Sequence, residues 1–146
     1  MNWKSVIRFR KQVEDMAREE LALAEWEKSQ LNAKREVLRQ DMKTISTELE
    51  ECLQQGIGQT FADQRFQWLE DTGKVLEQLA EREAGWDQKI SGLRDKLQEA
   101  HQSRRIIEIM AARKHDALKK KIARREQIEQ DEAAASQFVS IRSGER

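Results

Sequence analysis

The sequence lacks several residue types on which compact domains and catalytic sites depend. Its 146 residues include no proline and no tyrosine, one cysteine and six glycines, and 5% are aromatic against 37% charged. Without proline, nothing in the sequence forces a helix to end. So few aromatic residues are also poor material for a large core. The composition favours long helices that bury a narrow apolar seam.

An excess of one charge is also missing, because 27 basic residues balance 27 acidic ones. No global field therefore attracts nucleic acid or an anionic membrane. The first residues contain no apolar run of the kind found in signal peptides and membrane-spanning helices. The single cysteine, Cys52, cannot form an internal disulfide. We expect a soluble, cytoplasmic protein in which Cys52 is a small seam residue rather than a reactive thiol.

A heptad repeat runs through the second half of the chain. Apolar residues recur every three and four residues, which predicts a helix that packs against a partner helix. The seam consists of Leu69, Leu76, Leu79, Trp86, Ile90, Leu93, Leu97, Ala100, Ile107, Ala111, Leu118 and Ile128.

A similar stripe from Val6 to Cys52 predicts a first helix over about residues 3–55. A stutter is expected between Val13 and Leu21. Lys28 and Arg35 fall on a positions of the seam, where their aliphatic stems can pack while the charges escape sideways. Such residues lower stability but help to fix the register.

A turn at about residues 56–60 separates the two helices, because Gly56 and Gly58 supply the backbone freedom that a reversal needs. Thr60 to Asp63 then resemble a capping box. We expect the second helix over about residues 61–139 and a frayed tail at 140–146. A short turn joins antiparallel neighbours. The predicted fold is therefore all-α, a single antiparallel coiled-coil hairpin over residues 1–146 whose second helix overhangs the first.

Two registers satisfy the rule that a positions meet d positions. One places Ile45 opposite Leu69 and Leu21 opposite Leu93, and the other places Ile45 opposite Leu76 and Leu31 opposite Ile90. The sequence does not choose between them. In both, the second helix continues past the end of the first, and its last part keeps apolar seam residues without a partner in the same chain.

Catalytic constellations are missing from the sequence. There is no glycine-rich phosphate loop, and a straight helical hairpin offers no pocket for a substrate. His101 and His115 lie fourteen residues apart and are interpreted as rim residues rather than metal ligands. We predict a protein that is not an enzyme and needs no cofactor or metal.

Basic residues gather where the two termini meet. The first thirteen residues contain Lys4, Arg8, Arg10 and Lys11, and the second helix adds Arg104, Arg105, Arg113, Lys114, Lys119, Lys120, Lys121, Arg124 and Arg125. This basic collar fits an acidic partner. It also fits a solvated face balanced by the acids from Glu126 onward. Nucleic acid is a third candidate, but interleaved aromatic residues and a known reader fold are missing.

Apolar residues outside the seam form a further signal. Leu23 and Trp26 face outward on the first helix, as do Ile106, Ile109 and Met110 on the second. Clusters of this kind mark docking surfaces, although core packing shifted by the stutter is an alternative. Near the turn, Phe61, Phe66, Trp68 and Leu69 form an aromatic cluster that either closes the tip or contacts a partner.

Two stretches resemble the FliJ-type central stalk proteins of bacterial type III export systems. One runs from Val6 to Arg10 and on into Glu19–Ala24. The other leads from Ala112–Leu118 into Arg125–Ala133 and Phe138, and is similar to the C-terminal pattern of that family. The injectisome stalk is a close relative, and the sequence does not separate the two systems.

The resemblance implies a coiled coil whose termini enter a hexameric export ATPase, with the export gate and export chaperones as further partners. No nucleic acid is expected, and membrane contact is only peripheral, through the partners. The implied ATPase-binding residues are Arg8, Arg10, Arg113, Lys114, Leu118, Lys121, Ile122, Arg124, Arg125 and Ile128, and the implied gate-binding residues are Phe61, Phe66, Trp68 and Leu69. A coiled-coil scaffold that homodimerises through the overhang is a competing hypothesis.

Overall fold

The protein is a hairpin of two long helices. A computed structural model describes residues 2–56 and 58–144, in which α1 spans Trp3–Gln54 and α2 spans Gln59–Gly144. The described residues contain no strand, and the two helices pack against each other, which confirms the predicted all-α fold. The chain forms two compact units, residues 12–100 and residues 1–11 with 101–146, and each is described by itself below.

The turn between the helices depends on its two glycines. Gly56 has a φ of 76°, in the left-handed region, and its N–H donates to the Leu53 carbonyl at 3.3 Å. The Gly58 carbonyl accepts hydrogen bonds from the N–H groups of Phe61 and Ala62 at 3.1 and 3.4 Å. The helix therefore begins at Gln59, and Thr60 lies inside the first turn instead of capping it. Ile57 lies outside the described residues.

The core of the unit 12–100 is a narrow seam of small and medium side chains. The buried apolar residues are Ala17, Ala24 and Leu49 of α1 with Ala62, Leu79 and Ile90 of α2. Alanines in such positions let two helix backbones approach closely. Cys52 is free and half-buried, as expected for a seam residue. Burial of one stripe per helix leaves the remaining faces to solvent.

A shallow groove identifies the register of this unit. It is lined on α1 by Leu23 and Ala24 and on α2 by Trp86, Lys89 and Leu93. Ala24 therefore faces the turn between Trp86 and Leu93, where the first register puts it. The second register would place Ala24 a full heptad further along α2. The pairing that fits is Ile45 with Leu69 and Leu21 with Leu93.

The charged seam residues are matched across the helix pair. Arg35 forms an ion pair with Glu83, and the side chains are only 18% and 19% exposed. Lys28 Nζ lies 2.5 Å from Asp87 Oδ1. On the flanks, Glu20 pairs with Lys96 at 3.0 Å and Glu25 with Arg94 at 3.4 Å. The charges thus meet partners rather than simply escaping into water, and a mismatched register would separate them.

The predicted stutter in α1 does not occur. Burial follows an unbroken spacing of three and four residues through Ile7, Arg10, Glu14 and Ala17. Glu14 is only 3% exposed, and Arg18 Nη2 lies 3.2 Å from its Oε1. Because two charged residues occupy seam positions here, the apolar pattern hides a repeat that continues.

Candidate partner-binding site

The candidate site is the end of α2, in the unit formed by residues 1–11 and 101–146. Ala111 is half-buried, and every described residue from 112 to 144 is exposed. Leu118 and Ile122 are 58% and 50% exposed, and Ile128 and Phe138 are similarly open. The structure therefore leaves this seam without an intramolecular partner over its described residues.

Local sequence explains why an unpaired segment is helical. Residues 112–135 consist largely of alanine, lysine, arginine, glutamate and glutamine, which have high intrinsic helix propensity. No proline interrupts the segment, and α2 runs on to Gly144, beyond the predicted end at residue 139. This segment, residues 112–144, is called the overhang below.

Five basic side chains of the overhang have no ion-pair partner among the described residues. Within the described residues, Lys119, Lys120, Lys121, Arg124 and Arg125 form no ion pair. The acids that follow do not pair with them either, although Gln127 donates to Asp131 at 3.1 Å. Direct pairing therefore does not neutralise this face. Apolar Leu118 and Ile122 lie between these charges one helical turn apart.

Three predicted contact residues lie near the first turn of α1. Lys114 Nζ stands 5.6 Å from the centre of the Trp3 ring, within reach of a cation–π contact. Arg8 is exposed, whereas Arg10 is half-buried, and its Nε is buried without a hydrogen-bond partner. The structure thus brings Arg8 and Arg10 into the same compact unit as the overhang. Of the two, Arg8 is the more accessible to a partner.

The basic collar is smaller than its sequence suggests. Glu108 accepts hydrogen bonds from Arg104 at 2.6 Å and from Arg105 at 3.0 Å. The Arg104 hydrogen bond, with that of Arg105, holds the pKa of Glu108 below its ordinary value. Arg104 also lies 3.3 Å from His101 Nδ1. These arginines are engaged within the chain, so the available positive charge lies further along α2.

The aromatic residues after the turn do not form one patch. Phe61 and Trp68 are seven residues apart and share one flank of α2, with the Arg65 guanidinium 4.9 Å from the Phe61 ring. Phe66 lies on another flank, and Leu69 is half-buried in the seam. Only Phe61 and Trp68 can therefore face one partner together.

The apolar residues outside the seam are exposed. Leu23 and Trp26 on α1 and Ile106, Ile109 and Met110 on α2 are all open to solvent. The alternative that a stutter packs them into the core is therefore wrong. Leu23 and Trp26 also belong to a longer stripe of exposed residues on α1, which the sequence pattern did not reveal.

Chemical features of a catalytic centre are not seen in the part of the chain that the structure describes. Among residues 2–56 and 58–144, no group of three histidine, cysteine or acidic side chains could hold a metal ion. The depressions on the surface are open and shallow. No helix in the described ranges is long and apolar enough to cross a membrane.

Two long helices that pack against each other, with an exposed end of α2, define a helical hairpin of the coiled-coil class. The family model for the flagellar FliJ protein matches residues 3–143. The chain therefore belongs to the FliJ family, which confirms the resemblance seen in the sequence. This family makes the protein a structural stalk of the flagellar type III export apparatus. Searches of curated proteins and of solved structures found no match.

Proposed function

We propose that this protein is the cytoplasmic stalk that inserts its overhang into the hexameric export ATPase, promotes its assembly and activity, and links it to the export gate. The observation that carries the proposal is the overhang, in which unpaired basic side chains surround an unpartnered apolar edge. The family model extends to residue 143 and so includes this segment.

The chemistry of the overhang fits a channel lined by acidic and apolar groups. Lys121, Arg124 and Arg125 have no ion pair in the described structure, so a partner can use them without breaking existing pairs. Leu118, Ile122 and Ile128 supply apolar area on the same segment. Charges of this kind steer association and fix orientation, while the apolar contacts supply affinity. Arg8, Arg113 and Lys114 extend the basic surface toward the start of α1.

The test is binding to a purified hexameric export ATPase, with stimulation of its ATP hydrolysis as a second readout. Replacing both Arg124 and Arg125 by glutamate should weaken binding to the ATPase by about tenfold or more, because two attractive contacts become repulsive. The matched control is Lys74→Glu with Arg82→Glu, which reverses two exposed charges on α2 within the other compact unit. Unchanged binding and stimulation by the Arg124→Glu and Arg125→Glu variant would refute the assignment.

A second contact is proposed near the start of α2. Phe61 and Trp68 form an exposed aromatic edge, and we assign this edge to the cytoplasmic domain of the export gate. Replacing both by alanine should weaken gate binding by about tenfold, as loss of aromatic anchors does at other interfaces. Phe66→Ala, on another flank, is the control, and an equal loss there would contradict the assignment. Leu69 is unsuitable as a probe because its replacement disturbs the seam.

Export chaperones are the remaining proposed partners, for which the structure singles out no residues. The flagellar family match favours the flagellar system over the injectisome alternative.

A further inference from the structure

A second apolar stripe follows the outer face of α1. It occupies positions spaced by three and four residues, and every one of them is exposed: Met16, Glu19, Leu23, Trp26, Gln30, Ala33, Val37, Gln40, Thr44 and Thr47. Among these only Glu19 is charged, in a chain that is 37% charged. At 100° per residue, this outer stripe lies roughly 160° from the seam. Most of it therefore faces away from α2, although Leu23 also lines the groove beside Trp86 and Leu93.

Three of the five polar members of the outer stripe form hydrogen bonds within α1. Thr44 and Thr47 donate their hydroxyls to the carbonyls of Gln40 and Lys43, at 3.0 and 2.9 Å. The Gln40 amide donates to Glu36 at 3.4 Å. The threonine hydroxyls need no water, so a helix could cover them at little desolvation cost. Ala33 forms the floor of a shallow depression beside Val37.

Acidic residues border the outer stripe on both sides. The columns next to it contain Asp15, Glu20, Glu27, Glu36, Asp41 and Glu48, with only Lys34 and Lys43 of opposite sign. Within the described residues, Glu27, Asp41 and Glu48 form no ion pair. Two such stripes packed on each other would bring like charges together, which is unfavourable. The preferred occupant is a helix with an apolar edge and basic flanks.

Residues 113–125 of the overhang have that chemistry, whereas the residues from Glu126 to Glu132 are acidic. Leu118 and Ile122 form the apolar edge of this segment, and the neighbouring Lys121, Arg124 and Arg125 are unpaired. This basic segment is roughly 18 Å long and can lie along part of the outer stripe, which is roughly 47 Å long from residue 16 to 47. Every described residue of the overhang and every residue of the outer stripe is exposed.

We propose that two copies of this protein associate by docking the overhang of one copy on the outer stripe of the other. The contact joins two different surfaces, so each copy offers both halves of it. It goes beyond the proposed function and predicts that the ATPase and a second copy compete for the overhang.

Analytical ultracentrifugation of the full chain tests this directly. Between about 10 and about 300 µM, the average mass should rise above the 17.2 kDa monomer, because association follows mass action. Raising sodium chloride from about 50 to about 500 mM should reduce the association, since the charges that contribute are exposed.

Two variants separate the halves of the contact. The stripe variant, Leu23→Glu with Trp26→Glu, and the overhang variant, Arg124→Glu with Arg125→Glu, should each lower the association constant by about tenfold or more. Val75→Glu, at an exposed apolar position on α2, is the control and should associate like the wild type. Circular dichroism checks that each variant keeps its helices.

Mixing the two variants gives the decisive result. The stripe variant keeps an intact overhang and the overhang variant keeps an intact stripe, so the mixture should associate more strongly than either variant alone. A wild type that stays monomeric throughout, a variant that self-associates like the wild type, or a mixture that stays monomeric would each overturn the proposal. The stripe variant should still bind the export ATPase. Loss of self-association by this variant therefore tests the contact between two copies separately from the proposed function.

Discussion

The ion pair between Arg35 and Glu83 lies in the seam and makes a quantitative prediction. Both side chains are mostly withdrawn from water, at 18% and 19% exposure. Replacing Glu83 by alanine leaves the Arg35 guanidinium in the seam without its partner. An exposed pair contributes up to about 1 kcal/mol, and breaking a fully buried one costs about 3–5 kcal/mol. For this intermediate burial, we expect Glu83→Ala to destabilise the hairpin by about 2 kcal/mol.

The assay is urea unfolding followed by circular dichroism for four proteins: wild type, Arg35→Ala, Glu83→Ala and the double variant. The double-mutant cycle should give a coupling energy of about 1–2 kcal/mol. Replacing both residues by leucine should restore or raise stability, because apolar side chains avoid the desolvation of two charges. That variant should also lose register specificity, since the charged layer no longer penalises a shift by one heptad.

Two results would contradict a stabilising ion pair between Arg35 and Glu83 in the seam. A cost below about 0.5 kcal/mol for Glu83→Ala would mean that solvent screens the pair as it does at the surface. A coupling energy near zero would mean that each side chain acts through its own packing rather than through the other charge.

Two further predictions concern acid and the turn. Because Arg104 and Arg105 lower the pKa of Glu108 from its ordinary value of 4.5, the interaction stabilises the fold above that value and is lost as the pH falls through the lower folded pKa. Glu108→Gln should therefore lower the urea midpoint at about pH 7 and lower it less as the pH falls below 4.5, and an effect of equal size throughout would contradict the assignment. Gly56→Ala should cost about 1 kcal/mol in urea unfolding because its φ of 76° strains an L-residue. Gly58→Ala, without a positive φ, is the control, and an equal cost there would contradict the role of Gly56.

The hairpin could be predicted because the heptad pattern and the two turn glycines agree. The seam was less visible where charged residues occupy it, as at Arg10 and Glu14, since an apolar pattern cannot record a buried ion. The start of α2 at Gln59 has no side-chain signal, because Gly58 precedes it and only its carbonyl accepts the first helical hydrogen bonds. The choice between the two registers depends on where Ala24 lies relative to Trp86, and the spacing of apolar residues does not give that position.

The candidate site, too, could be predicted from the sequence only in part. The exposed apolar and basic residues of the overhang could be found from sequence, because no residue in α1 remains to cover them. The engagement of Arg104 and Arg105 by Glu108 could not be predicted, because rotamers decide which charges pair. The outer stripe escaped notice because half of its members are polar, and its low polarity depends on the hydrogen bonds of Thr44 and Thr47.

The overhang is the segment that we propose enters the partner. Hydrogen exchange on this protein, alone and bound to the hexameric export ATPase, measures this directly. An unpaired helix exchanges readily, so residues 112–128 should exchange fast in the free protein and become protected in the complex. Residues 72–100 of the seam should change little. Protection confined to residues 61–69, with residues 112–128 still exchanging fast in the complex, would contradict the account.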